Sequence, residues 1–340
     1  IIVTAQRRAE NIQDVPIAVS AFTADMIEQQ NLDDALDLQI LVPNLLIVGN
    51  DRPTLRGIGN NAISSTADNG TGTLVNFAPL GFRPQDEFYD IERVEVLRGP
   101  QGTLYGRNTT GGTINVLTRK PDEEFGGYLT AQYGNFNTRR IHGAINVPID
   151  EIVQFRLAGF YLKRDGYTRN IGTGKDVDGR DQFSLRGSLR VNLTPDTRLD
   201  LMINHSRENS TRSRENKRLC KAAAVFGCSP NALGFDSPDT SGVLFQTLLN
   251  ATNLFALGGG LFTPGASIYA GAQNPADLRT IATDYDASFV ARQTNITAEL
   301  SHDAGPITLL SLSAFSKGRS EARTDFDNAV LPFRFSIPVT

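Results

Sequence analysis

The chain has no tryptophan, two methionines, two cysteines and three histidines in its 340 residues. Each scarcity removes a class of function. His142, His205 and His302 lie far apart in sequence, and none falls in a metal-ligand spacing, so no metal site is expected. Cys220 and Cys228, in RLCKAAAVFGCSP, are too few for a disulfide scaffold and lack the second pair that zinc needs. They leave a local loop disulfide, which implies an oxidising compartment, or two free thiols. A net charge of -4 gives no reason to expect nucleic acid as a partner. No apolar run reaches the roughly 18–20 residues of a membrane helix. If such a chain crosses a membrane, it does so as a β-barrel. The opening Ile1-Ile2-Val3-Thr4 has no basic stretch before it, so no signal peptide is read there.

What is present changes character near Pro121. Before it, helices and short strands mix into a small α+β unit. Thr23 reads as the cap of a helix, with Asp25 in its first turn. A second helix is expected over Asp33 to Val42, stopped by Pro43-Asn44. Strands are expected over Ile12 to Phe22, Leu45 to Val48, Arg93 to Leu97 and Thr113 to Thr118.

After Pro121, strict alternation takes over. In Phe183-Ser184-Leu185-Arg186-Gly187-Ser188-Leu189 the odd positions are apolar or glycine and the even ones polar. The same parity holds at Val153, Phe155, Leu157, at Ile141, Gly143, Ile145, and at Leu199, Leu201, Ile203. Period two means one wet face and one apolar face. Seven strands are read, near 126–134, 139–147, 152–163, 182–193, 198–207, 289–302 and 306–317. Short turns at 148–151, 194–197 and 303–306 alternate without exception with long polar loops at 164–182 and 208–288. A soluble β-sandwich shows similar alternation. The strand lengths and the alternation of short and long connections favour an outer-membrane barrel.

The stretch Arg93 to Pro121, RVEVLRGPQGTLYGRNTTGGTINVLTRKP, invites a nucleotide-loop reading. Its glycines, Gly99, Gly102 and Gly106, miss the dinucleotide spacing, and Gly111-Gly112 opens a strand. No lysine with serine or threonine follows the last glycine, so neither phosphate motif is met and the glycines are read as sharp turns between strands. No cofactor is expected. No serine, histidine and aspartate combine in a catalytic motif, so an enzyme is not expected either.

The same stretch resembles the plug-domain signature of TonB-dependent outer-membrane receptors. The resemblance extends to IIVTAQRRAENIQDVPIAVSAFTADMI at the start, to LVPNL after the second expected helix and to LRGIGNN at Leu55 to Asn61. One departure is plain. Where the family carries an aspartate-glycine hairpin, this chain has Asn76-Phe77-Ala78.

The resemblance implies a TonB box and plug over residues 1–121 and the first part of a transmembrane barrel over 122–340. The fold class expected is an α+β plug followed by about seven strands of an antiparallel 22-stranded barrel. The chain would then be a fragment, lacking a signal peptide in front and most of the barrel behind. Ile1, Ile2, Val3, Thr4 and Ala5 resemble the end of the box that the inner-membrane TonB complex grips. Physically, a β-branched segment suits addition to a partner's sheet edge. Arg56, Arg93, Glu95, Arg98 and Arg107 are expected at the plug–barrel boundary or in an ion network inside the plug. Asn60, Asn61, Ser64, Ser65, Asp68 and Asn69 are candidate ligand contacts on an apical loop. Arg207, Arg212, Arg214, Lys217, Arg218 and Lys221 form a basic stretch that would attract an anionic ligand or lipopolysaccharide phosphates.

Energised import of a ferric siderophore across the outer membrane of a Gram-negative bacterium is the implied function. Its partners would be TonB, outer-membrane lipid and the ligand. A non-transporting binding or signalling barrel is the alternative. Cobalamin, haem, oligosaccharides or aromatic compounds are alternative cargoes.

Overall fold

The computed structural model describes residues 2–4, 7–8, 10–48, 52–59, 69–79, 88–212 and 273–323. From the segment between the last two ranges it adds 219, 221–223, 227–228, 232 and 234–235. The chain begins with β1 (Ile2–Val3) and β2 (Glu10–Asn11), paired antiparallel. Then come β3 (Ala18–Thr23), α1 (Ala24–Gln29), α2 (Leu38–Leu41), β4 (Leu45–Val48), β5 (Arg52–Leu55) and β6 (Thr71–Val75). β7 (Ile91–Arg98), α3 (Gly102–Tyr105) and β8 (Gly112–Thr118) complete the plug region.

Four of these strands form one sheet in the order β3-β7-β8-β6. Alternation along β7 assigns its side chains. Val94 and Val96 enter a core with Phe22, Leu38, Leu55, Ile114 and Val116. On the opposite face, Leu97 joins Val3, Val15, Ala21, Leu74 and Tyr105. Each such side chain, fully buried, stabilises by about 1.5–3 kcal/mol. Thr23 caps α1 by accepting the Met26 N–H at 3.3 Å, as its position in the sequence predicts.

Three expectations for the plug need correction. The helix over Asp33 to Val42 shrinks to Leu38–Leu41. Asp37 Oδ2 accepts the amides of Asp33 and Asp34, and Asp34 Oδ1 accepts that of Leu36. These local bonds hold a turn where a helix would otherwise begin. The strand over Ile12 to Phe22 starts only at Ala18, because Asn11 closes a turn that accepts from Gln13 and Asp14. The glycine stretch also contains the single turn α3, absent from the sequence reading.

The hairpin after β6 keeps its tight geometry despite its unusual residues. Asn76 and Phe77 both have positive φ, 48° and 64°, and Val75 and Ala78 exchange two backbone hydrogen bonds. That is the left-handed pair of a primed hairpin turn. Asn76 tolerates the conformation readily, but phenylalanine there is uncommon. The Asn76 side chain fixes the turn by donating to Thr118 Oγ1 at 2.8 Å and accepting from Thr118 N at 2.9 Å. Asn115 Oδ1 accepts the Phe77 N–H at 3.1 Å.

From residue 126 the chain becomes long antiparallel strands. They are β9 (Gly126–Gly134), β10 (Thr138–Pro148) and β11 (Val153–Arg164). Two short strands of the second outer loop follow, β12 (Thr168–Asn170) and β13 (Lys175–Val177). After them come β14 (Arg180–Thr194) and β15 (Thr197–Ser210). β16 (Ala222–Ala223), β17 (Gly227–Cys228) and β18 (Thr280–Ile281) belong to the third outer loop, followed by β19 (Ser288–Asp303) and β20 (Thr308–Arg323). Seven of these make one sheet in the order β20-β19-β15-β14-β11-β10-β9. These seven match the seven read from alternation, and several run further at their ends. β19 and β20 reach 16 residues each, well beyond a typical soluble strand. No helix among the described residues is long and apolar enough to cross a membrane.

Short and long connections do not alternate without exception. The first outer connection, residues 135–137, is a tight turn with Phe136 and Asn137 at positive φ. It is braced from the second outer loop by Asp165 N–H donating to the Phe136 carbonyl at 2.8 Å. The outer loops also brace one another. β12 pairs in parallel with β18, and Asn170 donates to Thr283 and Asp286 across 2.8 and 3.1 Å.

Two glycines in the plug separate backbone necessity from tolerance. A Cβ on Gly112, which has φ of 140°, would sit 2.1 Å from the Leu97 carbonyl oxygen, whereas one on Gly102 meets nothing within 4 Å. Gly112→Ala is expected to destabilise the plug by about 3 kcal/mol or more. Gly102→Ala, inside α3, should stabilise it by up to about 1 kcal/mol. Calorimetric melting of the receptor carrying each change measures both.

Candidate functional site

Two polar constellations lie outside the plug's apolar cores, and both involve the segment Tyr89 to Glu95. The first holds the chain's beginning. Val3 is fully buried in the second plug core, so the start of the chain is anchored by an apolar side chain. Thr4 then meets Glu95, which is itself 0% exposed. Glu95 Oε1 accepts the Thr4 amide at 2.7 Å, the Thr4 hydroxyl at 3.0 Å and Arg93 Nε at 2.8 Å. Arg93 Nη2 donates to Thr4 Oγ1 at 2.9 Å. Glu95 Oε2 is buried with no hydrogen-bond partner. Arg7 lies over the rings of Phe77 and Tyr105, at 5.9 and 5.5 Å from their centroids. Burial, then the Glu95 charge, pushes the Tyr105 hydroxyl up to about 12, so it stays a donor, reaching the Thr4 carbonyl at 3.4 Å.

The second constellation joins the plug to the inner face of the wall. Asp90, just before β7, is buried against Arg156 of β11 and Arg186 of β14. Arg156 clasps both carboxylate oxygens, with Nε at 2.9 Å. Arg186 donates to the carbonyls of Tyr89 and Asp90 at 2.9 and 2.7 Å, with its guanidinium 4.6 Å from the Tyr89 ring centroid. The Tyr89 hydroxyl donates to Asn204 Oδ1 at 2.9 Å and shares a hydrogen bond with the Ser184 hydroxyl. Beside it, a cleft of about 90 Å³ is lined by Phe88, Tyr89, Phe160, Ser184, Arg186 and Asn204. At the lower end Lys120 donates to Asp200 at 3.0 Å and Glu299 at 2.7 Å, and Asp200 is also held by Arg190. Elsewhere Arg140 of β10 pairs with Asp33. Next to that pair, burial raises the Asp34 carboxyl to about 7, aided by Asp37 and Asp33 and opposed by the Leu36 amide and Arg180.

Of the residues expected at the start, Ile2, Val3 and Thr4 are in this docked segment, while Ile1 and Ala5 lie outside the described residues. Arg93 and Glu95 form an ion pair inside the plug. Arg56 is exposed on a turn with φ of 53°, Arg107 is exposed after α3, and Arg98 Nε is buried without a hydrogen-bond partner. Of the five, Arg93 and Glu95 meet inside the plug. The plug–wall boundary rests on Asp33, Asp90 and Lys120, which the sequence reading passed over.

The wall partners carried a legible signal. Arg156, Arg186, Arg190 and Asp200 are charged residues at the polar parity of alternating strands, where an inward face toward the plug is required. Of the candidate ligand contacts, Asn60, Asn61, Ser64, Ser65 and Asp68 lie outside the described residues, and Asn69 donates to the Pro53 carbonyl at 3.1 Å. The suggested cysteine pair also falls outside, since Cys220 is not described and only the backbone of Cys228 is. In the basic stretch, Arg214, Lys217 and Arg218 are not described, and Lys221 is exposed. Arg212 is buried against Glu208 and the Phe289 ring.

Residues 11–113 match the family model of the TonB-dependent receptor plug domain. The chain is the plug and part of the barrel of a TonB-dependent receptor. The iron-regulated outer membrane virulence protein of Vibrio cholerae is 27% identical over 242 residues, covering 67% of this chain and 36% of that protein. The ferric enterobactin receptor PirA of Pseudomonas aeruginosa is 26% identical, covering 56% of the chain and 30% of that protein. The chain thus spans 36% or less of the length of these relatives. Among solved structures, the ferric yersiniabactin uptake receptor FyuA from Yersinia pestis superposes with a TM-score of 0.66 at 17% identity. That match covers 90% of this chain and 41% of that one. The ferric-catecholate import receptor Fiu from E. coli gives 0.64 at 18% identity, covering 93% and 40%. At such identity the likeness is one of fold. In that fold the seven-stranded sheet corresponds to barrel wall, and the ion pairs of Asp90 and Lys120 join it to the plug.

Two outcomes follow from these geometries. Glu95→Gln removes a charged acceptor worth about 1.5–3 kcal/mol. Hydrogen exchange at the Thr4 amide of the receptor should then speed up about ten- to a hundredfold, while amides in β8 stay protected. Asp34 gives a pH dependence. Its folded pKa of about 7 exceeds the ordinary 3.8, so ionising it costs stability. The penalty is absent below about pH 4, grows through the window up to about 7 and is complete above it. Asp34→Asn should therefore raise plug stability at pH 8 by about 1–3 kcal/mol and leave it unchanged at pH 3.5.

Proposed function

We propose that the receptor containing this chain imports a large, scarce ligand, a ferric-siderophore complex, with energy delivered by TonB to the first five residues. The observation that carries the reading is the docked state of Val3 and Thr4. A segment meant to be handed to a partner's sheet edge needs strand propensity, and Ile1-Ile2-Val3-Thr4 has it. It must also be held until needed. Here it is held by one buried valine, the two-residue pairing of β1 with β2 and hydrogen bonds to Glu95, Arg93 and Tyr105, a small and reversible set. The plug–wall boundary suits the same purpose. Apart from the stacking of Tyr89 on Phe160, it is built mostly from ion pairs and hydrogen bonds, which exchange for water more readily than a dry apolar seam.

Iron as cargo is supported by the relatives. The V. cholerae protein is iron-regulated, and PirA, FyuA and Fiu are receptors for ferric chelates. The expected ligand approach is from the outer loops, onto the plug face beside Phe88 and Tyr89.

Deleting residues 1–5 from the full-length receptor tests the reading. Uptake of iron-55 as a ferric siderophore by energised cells should fall to background, while surface binding of the same complex at low temperature persists. Uptake at the wild-type rate would reject TonB-driven import through this segment.

A further inference from the structure

The outward face of the sheet carries an arrangement that the import reading does not use. Strand register places Arg207 of β15 directly opposite Arg292 of β19, and Arg292 directly opposite Arg319 of β20. All three are exposed. They share the outward parity with Leu201, Ile203, Ile296 and Phe315, whose inward neighbours are Asp200, Met202, Asn295 and Thr297. Like charges directly opposite in a sheet destabilise it, and their Cβ atoms are only about 4.5–5.5 Å apart. Three in a row attract an anion. Among the described residues no carboxylate forms an ion pair with any of them, and the nearby Glu321 turns to Arg323 at 3.0 Å.

Height on the wall identifies the anion. One rung toward the short turns lie His205, Thr294 and Lys317; one rung further lie Ile203, Ile296 and Phe315, which begin the apolar band. The long loops emerge at the other end, which is the extracellular side of such a barrel. The arginine row therefore lies at the outer rim of the lipid-facing band, at headgroup height. On the same rung, β11 and β14 present Tyr161 and Phe183, so the ring of charge continues an aromatic belt. Elsewhere along the rim a carboxylate joins the cations, as where Lys163 stands between Arg139 and Asp181.

We infer that Arg207, Arg292 and Arg319 form a binding site for the phosphate groups of an outer-leaflet glycolipid. A guanidinium row matches phosphate through paired N–H donors. The apolar rungs beneath it would lie along the acyl chains of the same molecule, which a soluble anion does not have. The inference is independent of which ligand the receptor carries.

The test uses the full-length receptor, purified in a neutral detergent and titrated with lipid A bearing both phosphates. Parallel arms use the same lipid with its phosphates removed and inorganic phosphate alone, with retained lipid counted by native mass spectrometry. The diphosphorylated lipid should bind at least about tenfold more tightly than its dephosphorylated counterpart, and excess inorganic phosphate should not displace it. The triple change R207Q, R292Q and R319Q should lose at least about tenfold in affinity, Arg292→Gln alone should lose part of it, and Lys163→Gln should lose none. Equal binding of the two lipids by the wild-type receptor would overturn the assignment, and that comparison needs no variant to fold. Unchanged affinity in a folded triple variant would also overturn it. Displacement by inorganic phosphate would overturn the lipid and leave a site for a soluble anion.

Discussion

A strand that crosses lipid has nowhere to place its backbone hydrogen bonds except in the next strand. That constraint shapes everything else in this chain. It makes the seven wall strands long, antiparallel and continuous in register, with one irregularity between Asn192 and Thr194. It also divides their side chains by parity, so residues that cannot face lipid face inward. The plug therefore meets a wall of Arg156, Arg186, Arg190, Asp200, Asn204 and Thr297, and its contacts are mostly polar, with Phe160, Leu162 and Met202 the apolar exceptions.

The plug answers that wall with cores of its own. Its two apolar cores close on themselves, with Val94, Val96 and Ile114 on one face of the sheet and Leu97, Leu74 and Tyr105 on the other. Two small clusters cross to the wall, Tyr89 with Ala144, Ala158, Phe160 and Leu162, and Ala78 with Met202, whose sulfur Asn76 reaches at 3.5 Å. Buried ion pairs such as Asp90 with Arg156 add little net stability, because desolvation offsets most of their attraction, yet breaking one from a single side costs about 3–5 kcal/mol. They fix where the plug sits more than whether it folds. The unusual Asn76-Phe77 turn belongs to the same logic. Its strain is held by Thr118 and Asn115 within the plug, so the hairpin keeps its shape whatever the wall does.

The period-two wall was legible from sequence because burial on one face only leaves a pattern that a single strand displays on its own. Strand ends were less so. β20 runs to Arg323, past the point where Lys317 and Arg319 replace apolar residues, since the headgroup zone tolerates charge on a strand that is still paired. The plug was legible mainly through motif order. One of its errors came from aspartates, with Asp34 and Asp37 closing a turn that composition alone reads as helix. The boundary was the least legible part. Lys120 meets Glu299 across 179 positions of sequence, and Asp90 meets Arg156 across 66. No local pattern marks the plug side of such a pair, although parity marks the wall side.

Geometry places the two polar constellations in series. Glu95, which holds Thr4, and Asp90, which is held by the wall, are five residues apart, with β7 beginning between them. β7 is hydrogen-bonded on both sides, to β3 and β8, and its inward valines are wholly buried. Load applied at Val3 therefore meets three contacts of increasing strength. The first is the two-residue pairing of β1 with β2, which has no tie to the main sheet. Next is the grip of Glu95, which uses one oxygen and leaves the other unpartnered, so its release exposes a carboxylate that water solvates better than the protein does. Last is β7 itself, which cannot move without stripping two neighbours and uncovering the core. A pull strong enough to free the first four residues thus stops short of unfolding the plug. Only a load carried along β7 reaches Asp90 and the wall arginines, where ion pairs can exchange for water while the core stays closed.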